Sequence, residues 1–133
     1  MKKNFFLILV SANLMANTPS DERMEYLIEI PNQVGECLLS VNLINASFNT
    51  QTAPAARPEI GGINTDNSFI LFIRINRQNI FGTKLYLEYK FQKKVGDGNE
   101  YEEYLTDSFL TIAEMRNAKT LDELVEVPVE CFE

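Results

Sequence analysis

Apolar and polar residues alternate most regularly between Lys84 and Gln92, where Leu85, Leu87, Tyr89 and Phe91 share one face and Lys84, Glu88, Lys90 and Gln92 the other. A period of two is that of a β-strand with one face on a core. Gly96-Asp97-Gly98-Asn99 follows, built from residues that tolerate positive φ, and predicts a hairpin joining 84–95 to a return strand over 100–105. In that hairpin Lys90, Lys93 and Lys94 stand against Glu100, Glu102 and Glu103. Phe69 to Ile75, aromatic and β-branched, predicts another strand, and Gln78 to Gly82 supplies its break. A third spans 36–46, where Cys37, Leu39, Val41 and Leu43 alternate with Leu38, Ser40, Asn42 and Ile44.

Other segments carry different signals. Thr18-Pro19-Ser20-Asp21-Glu22 has the hydroxyl, proline and acids of a helix start, which predicts a short helix to about Tyr26; Tyr26 to Ile30 fits either its end or a strand, closed by Pro31-Asn32. Phe109, Ile112 and Met115 recur every third residue and predict a helix over 107–117 capped by Thr106 or Asp107. Thr120 to Leu124 reads as a helical turn, and Val125 to Phe132 as a closing strand held to an edge by Pro128. Asn49 to Asn67, rich in Thr, Ala, Pro, Asn and Gly, has no apolar period and reads as a long loop.

Phe5 to Val10 is an unbroken apolar run of six residues, the length of a strand covered on both faces. The basic Met1-Lys2-Lys3-Asn4 ahead of it and Ala16 beyond it also outline a secretory signal peptide over residues 1–16. Asn13 interrupts the apolar stretch and Leu14 is bulky for a cleavage site, so an internal strand is the expectation and a cleaved signal the alternative. The elements together predict one α+β domain over 1–133, mostly antiparallel sheet of five to seven strands with two or three short helices.

Composition narrows the chemistry. The 133 residues contain no histidine, which removes Ser-His and Cys-His nucleophiles, His-ligated metal and the usual neutral-pH acid/base. The net charge is −7, and it is unevenly spread: residues 57–94 hold seven Lys and Arg against Glu59, Asp66 and Glu88, whereas 95–133 hold eleven acids against Arg116 and Lys119. Cys37 and Cys131 lie far apart with no C-x-x-C spacing. A retained N-terminus places them in a reducing, cytoplasmic setting as buried free thiols; a secreted or periplasmic chain would let them bridge. No apolar stretch approaches the roughly 20 residues of a spanning helix, so no membrane insertion is expected.

No phosphate-binding glycine loop, Gly-x-Ser-x-Gly elbow or Ser-x-x-Lys pair occurs, and Asp97-Gly98-Asn99-Glu100 lacks the ligand spacing of a calcium loop. Glu100, Glu102 and Glu103 are the densest carboxylates, but they flank lysines on an exposed strand, and no tryptophan is present to stack a sugar. Asn45-Ala46-Ser47 is a glycosylation sequon, meaningful only in a secreted eukaryotic chain. No catalytic residue, metal site or cofactor is therefore expected. Tyr86, Tyr89 and Phe91 lie among Arg74, Arg77, Lys84, Lys90 and Lys93, but the alternation puts Tyr89 and Phe91 in the core, which argues against nucleic-acid stacking. Tyr101, Glu102, Glu103 and Tyr104 combine rigid aromatic area with acid beside a tight turn, a pattern suited to a basic protein surface.

The functional expectation is a non-enzymatic, acidic protein-binding module of inhibitor, immunity or accessory-subunit type. A structural subunit of a larger assembly, such as a viral or phage particle, using 49–67 as an arm is the alternative. Single-stranded nucleic-acid binding through the basic middle strands is the third reading.

Overall fold

The computed structural model describes residues 9–16, 22–48 and 57–133. Eight strands run through them: β1 (Leu9–Ala16), β2 (Glu22–Pro31), β3 (Gln33–Val34), β4 (Cys37–Ser47), β5 (Glu59–Asn64), β6 (Ser68–Asn76), β7 (Lys84–Val95) and β8 (Glu100–Thr111). They form two four-stranded sheets, ordered β1-β2-β6-β5 and β3-β4-β7-β8, with every pair antiparallel. Successive strand pairs go to alternate sheets, so β2 meets β6 in the first and β4 meets β7 in the second.

Leaving out the two-residue β3, this is the strand order of a constant-type immunoglobulin sandwich, four strands against three. Antibody hallmarks are missing, since the chain has no tryptophan and its disulfide does not join β2 to β7. The strand order therefore describes architecture and carries no activity with it.

Alternation builds the core. Tyr26, Ile28 and Ile30 of β2 and Phe69, Leu71, Ile73 and Ile75 of β6 meet Leu39 and Val41 of β4 and Leu85, Leu87, Tyr89 and Phe91 of β7 in one buried cluster. Burying each such side chain stabilises the fold by roughly 1.5–3 kcal/mol. Below the sheets, α1 (Ile112–Asn117) adds Ile112 and Met115 to that cluster, and the chain beyond it adds Leu121, Leu124, Val125 and Val127. Arg116 fastens α1 to β2 by donating to the Tyr26 hydroxyl at 2.9 Å, with its guanidinium 5.9 Å from the ring centre.

The C-terminal turn is clamped to the second sheet. Cys131 is joined to Cys37 by a disulfide across a sequence separation of 94, and its carbonyl accepts from the Glu36 N–H at 2.8 Å. Gly35 makes this approach with φ 57°; a Cβ there would collide with the Cys131 carbonyl oxygen. Lys93 donates to the Glu130 carbonyl at 2.7 Å and lies 3.7 Å from the Glu36 carboxylate.

Several expectations need correction. Cys37 and Cys131 are bridged, because the fold sets their Cα atoms 5.2 Å apart, within disulfide reach. Residues 22–26 are strand, since Met24, Tyr26, Ile28 and Ile30 point inward every second residue. Residues 59–64 of the expected loop form β5, where the Phe72 and Phe69 rings cover Gly61 and Gly62 in place of their missing side chains. The helix over 107–117 is strand to Thr111 and helix only from Ile112; Thr111, not Thr106 or Asp107, caps it. Val125 to Phe132 contributes no strand, and Pro128 instead opens a 3₁₀ turn over Val129–Phe132. Antiparallel sheet dominates as expected, but among the described residues there is one short α-helix rather than two or three, with 3₁₀ turns at Arg77–Asn79, Leu121–Glu123 and Val129–Phe132. Leu9 and Val10 belong to β1, while 5–8, the helix-start residues 18–21 and loop residues 49–56 lie outside the described residues. No helix among the described residues is long and apolar enough to cross a membrane.

Candidate functional site: the outer face and edge of β8

The turn at 96–99, entered through Gly96 at φ 66°, returns the chain as β8, which pairs with β7 without interruption from Val95↔Glu100 to Lys84↔Thr111. No other described strand pairs with β8, so it is an edge of the second sheet. Its backbone groups on the side away from β7 therefore lack a ladder partner among the described residues.

Strand geometry separates the four residues singled out above. Tyr101 and Glu103 stand on the outer face of the sheet, whereas Glu102 and Tyr104 point to the inner side, in register with Lys93 and Phe91. Tyr104 packs on the core and donates to the Glu102 carboxylate at 2.5 Å. That hydrogen bond is the main reason the Tyr104 hydroxyl is pushed up to about 12. Glu102 and Tyr104 line a groove of about 310 Å³ with Lys93, Glu130 and Glu133. Glu103 lies 3.5 Å from the Lys90 ammonium, one diagonal step away on β7. Of the expected lysine–glutamate oppositions, Lys93↔Glu102 is a direct pairing, but Lys94 faces Tyr101 and Lys90 faces Leu105.

The outer face continues past the predicted residues. Tyr101, Leu105 and Phe109 repeat every fourth residue and are 47%, 66% and 53% exposed, with Glu103 and Asp107 between them. Tyr86 on β7 buttresses the row, its ring edge-on to Phe109 at 6.1 Å and its hydroxyl donating to Asp107 at 2.7 Å. That bond to a carboxylate raises the Tyr86 hydroxyl above its ordinary value. The Lys84 ammonium sits 5.6 Å from the Phe109 ring centre, showing that this ring takes a cation on its face. Leu105 and Phe109 were missed because a three-residue spacing assigned Phe109 to a helix. The visible signal was the four-residue recurrence of Tyr101, Leu105 and Phe109 with an acid midway between each pair, followed by a Thr-x-x-Glu cap at 111–114.

A second groove, of about 360 Å³, lies on the outer face of the first sheet over Leu27 and Phe72. Its cation, Arg74, stands between Glu25 at 3.9 Å and Glu59 at 3.7 Å, so the cation is already matched by carboxylates within the groove. Tyr89 and Phe91, the aromatic residues a stacking surface would need, are fully buried. No group of three or more Cys, Asp or Glu side chains is arranged to hold a metal ion among the described residues. No protein-family model, curated protein or solved structure matches this chain.

Proposed function

We propose that this protein is a non-enzymatic binding module that engages another protein through the outer face of β8. The observation that carries the reading is the row of Tyr101, Leu105 and Phe109 exposed on an edge strand, with Glu103 and Asp107 between them. Exposed aromatic and aliphatic side chains held by a rigid sheet lose little conformational freedom on binding, which suits them as anchors. The interleaved acids and the net charge of −7 favour a basic partner and fast encounter with it. The Cys37–Cys131 bridge supports work in an oxidising compartment over a cytoplasmic one.

The assembly reading draws less support, because residues 59–64 of the supposed arm pair with β6 along their length. Nucleic-acid binding draws less still, because Arg74, Lys90 and Lys93 each lie against a carboxylate. Affinity capture from the native host tests the proposal. The double variant Leu105→Arg, Phe109→Arg should lose the principal partner while circular dichroism stays unchanged. Recovery of the same proteins by both forms would contradict it.

A further inference from the structure

We infer that the partner presents a lysine- or arginine-rich extended segment, which adds to the free edge of β8 as the next strand of the second sheet. This rests on the reading of β8 as the partner surface and goes on to name the mode and the chemistry of recognition. β8 contains no proline and no lysine, and its ladder with β7 has no bulge; its defence as an edge is acid alone, Glu100, Glu102, Glu103 and Asp107, which a basic strand would neutralise. At twelve residues it is longer than either edge of the first sheet, β1 at eight and β5 at six.

Charge selects the occupant. β8 carries Glu100, Glu102, Glu103 and Asp107 and no Lys or Arg. Its existing neighbour shows what such a strand pairs with: β7 carries Lys84, Lys90, Lys93 and Lys94 against Glu88 alone, with Lys90 3.5 Å from Glu103 and Lys84 over Phe109. A strand added on the other side meets the same rows of side chains. A second copy is disfavoured, because two β8 strands would bring acids together with no cation on either to offset them. The fitting segment has Lys or Arg opposite Glu103 and Asp107 and apolar residues opposite Tyr101, Leu105 and Phe109. Cation and apolar positions therefore alternate along one face, with small polar residues on the other opposite Thr106 and Ser108.

The probe is a synthetic peptide of that pattern, made unmodified, with Glu in place of its cations, and in two N-methylated series that block alternate backbone N–H groups. In an added strand successive N–H groups point to opposite edges. One methylated series should therefore lose about tenfold or more in affinity by anisotropy, while the other binds like the parent. The Glu peptide should bind at least about tenfold more weakly, and added salt should weaken the parent. Equal affinity of the two methylated series, both retained or both lost, overturns strand addition, as does undiminished binding of the Glu peptide. If those results come while the Leu105→Arg, Phe109→Arg variant still loses its partner, strand addition fails and the binding face stands. If that variant keeps its partner, both readings fail.

Discussion

Tyr89 shows how one polar atom is accommodated in a sandwich core. Its ring is fully buried among Leu85, Leu87 and Phe91, and its hydroxyl accepts from the Ser108 hydroxyl at 3.1 Å. Burial pushes that hydroxyl from an ordinary 10.0 up to about 12, with the Ser108 bond opposing in part. The folded state thus holds the proton longer than the unfolded chain. Stability from this group is complete below pH 10 and falls as pH rises toward about 12. Tyr89→Phe should cost about 1 kcal/mol near neutral pH through the lost hydrogen bond. It should also flatten the alkaline decline in stability, as denaturant titrations at several pH values would show. An unchanged alkaline slope would mean that Tyr89 is not the group responsible.

At the scale of elements, the passage from β8 into α1 depends on a reciprocal cap. The Thr111 hydroxyl accepts from the Glu114 N–H at 3.1 Å, and the Glu114 carboxylate accepts from the Thr111 N–H at 3.0 Å and the hydroxyl at 2.9 Å. Those bonds, the backbone one first, hold the Glu114 carboxyl below its ordinary value. Its contribution is therefore present above the usual carboxylate range and is lost as pH falls through the lowered folded-state value. Thr111→Ala should destabilise by about 1 kcal/mol, and Glu114→Gln should remove part of the acid sensitivity of thermal unfolding. A fully retained acid slope in Glu114→Gln would assign that sensitivity elsewhere.

The same element shows what could be read from residues alone. β4, β6 and β7 were legible because their apolar residues alternate or run unbroken between turn signals. In β2 a helix-start signal outweighed an alternation that Leu27 partly disguises. In β5 two glycines hid a strand whose missing side chains are supplied by phenylalanines of β6, a contact no local window contains. Tyr101 and Glu103 of the candidate face were legible from the turn beside them. Leu105 and Phe109 became visible only once β8 was followed to its cap.

Across the whole molecule, the C-terminal segment closes the lower end of the core, and the disulfide ties it to the start of β4. A bridge spanning 94 positions restricts the unfolded chain strongly, contributing up to about 5 kcal/mol on a chain-entropy account. Cys37→Ala with Cys131→Ala, or reduction, should lower Tm markedly, with Leu121 to Val127 losing hydrogen-exchange protection before β7 does. Uniform loss across both would show that the C-terminal segment and the sheets open together. Neither cysteine has a sequence neighbour that announces this pairing; only the return of the chain beneath β4 does.

The proposed function requires β8 to be the surface that meets a partner. Hydrogen–deuterium exchange on the protein, alone and with the partner captured from its native host, tests this most directly. Slowed exchange over 100–111, with 59–64 unchanged, is the predicted result. Unchanged exchange along β8, with protection instead over β5 or the Leu27–Phe72 groove, would contradict it.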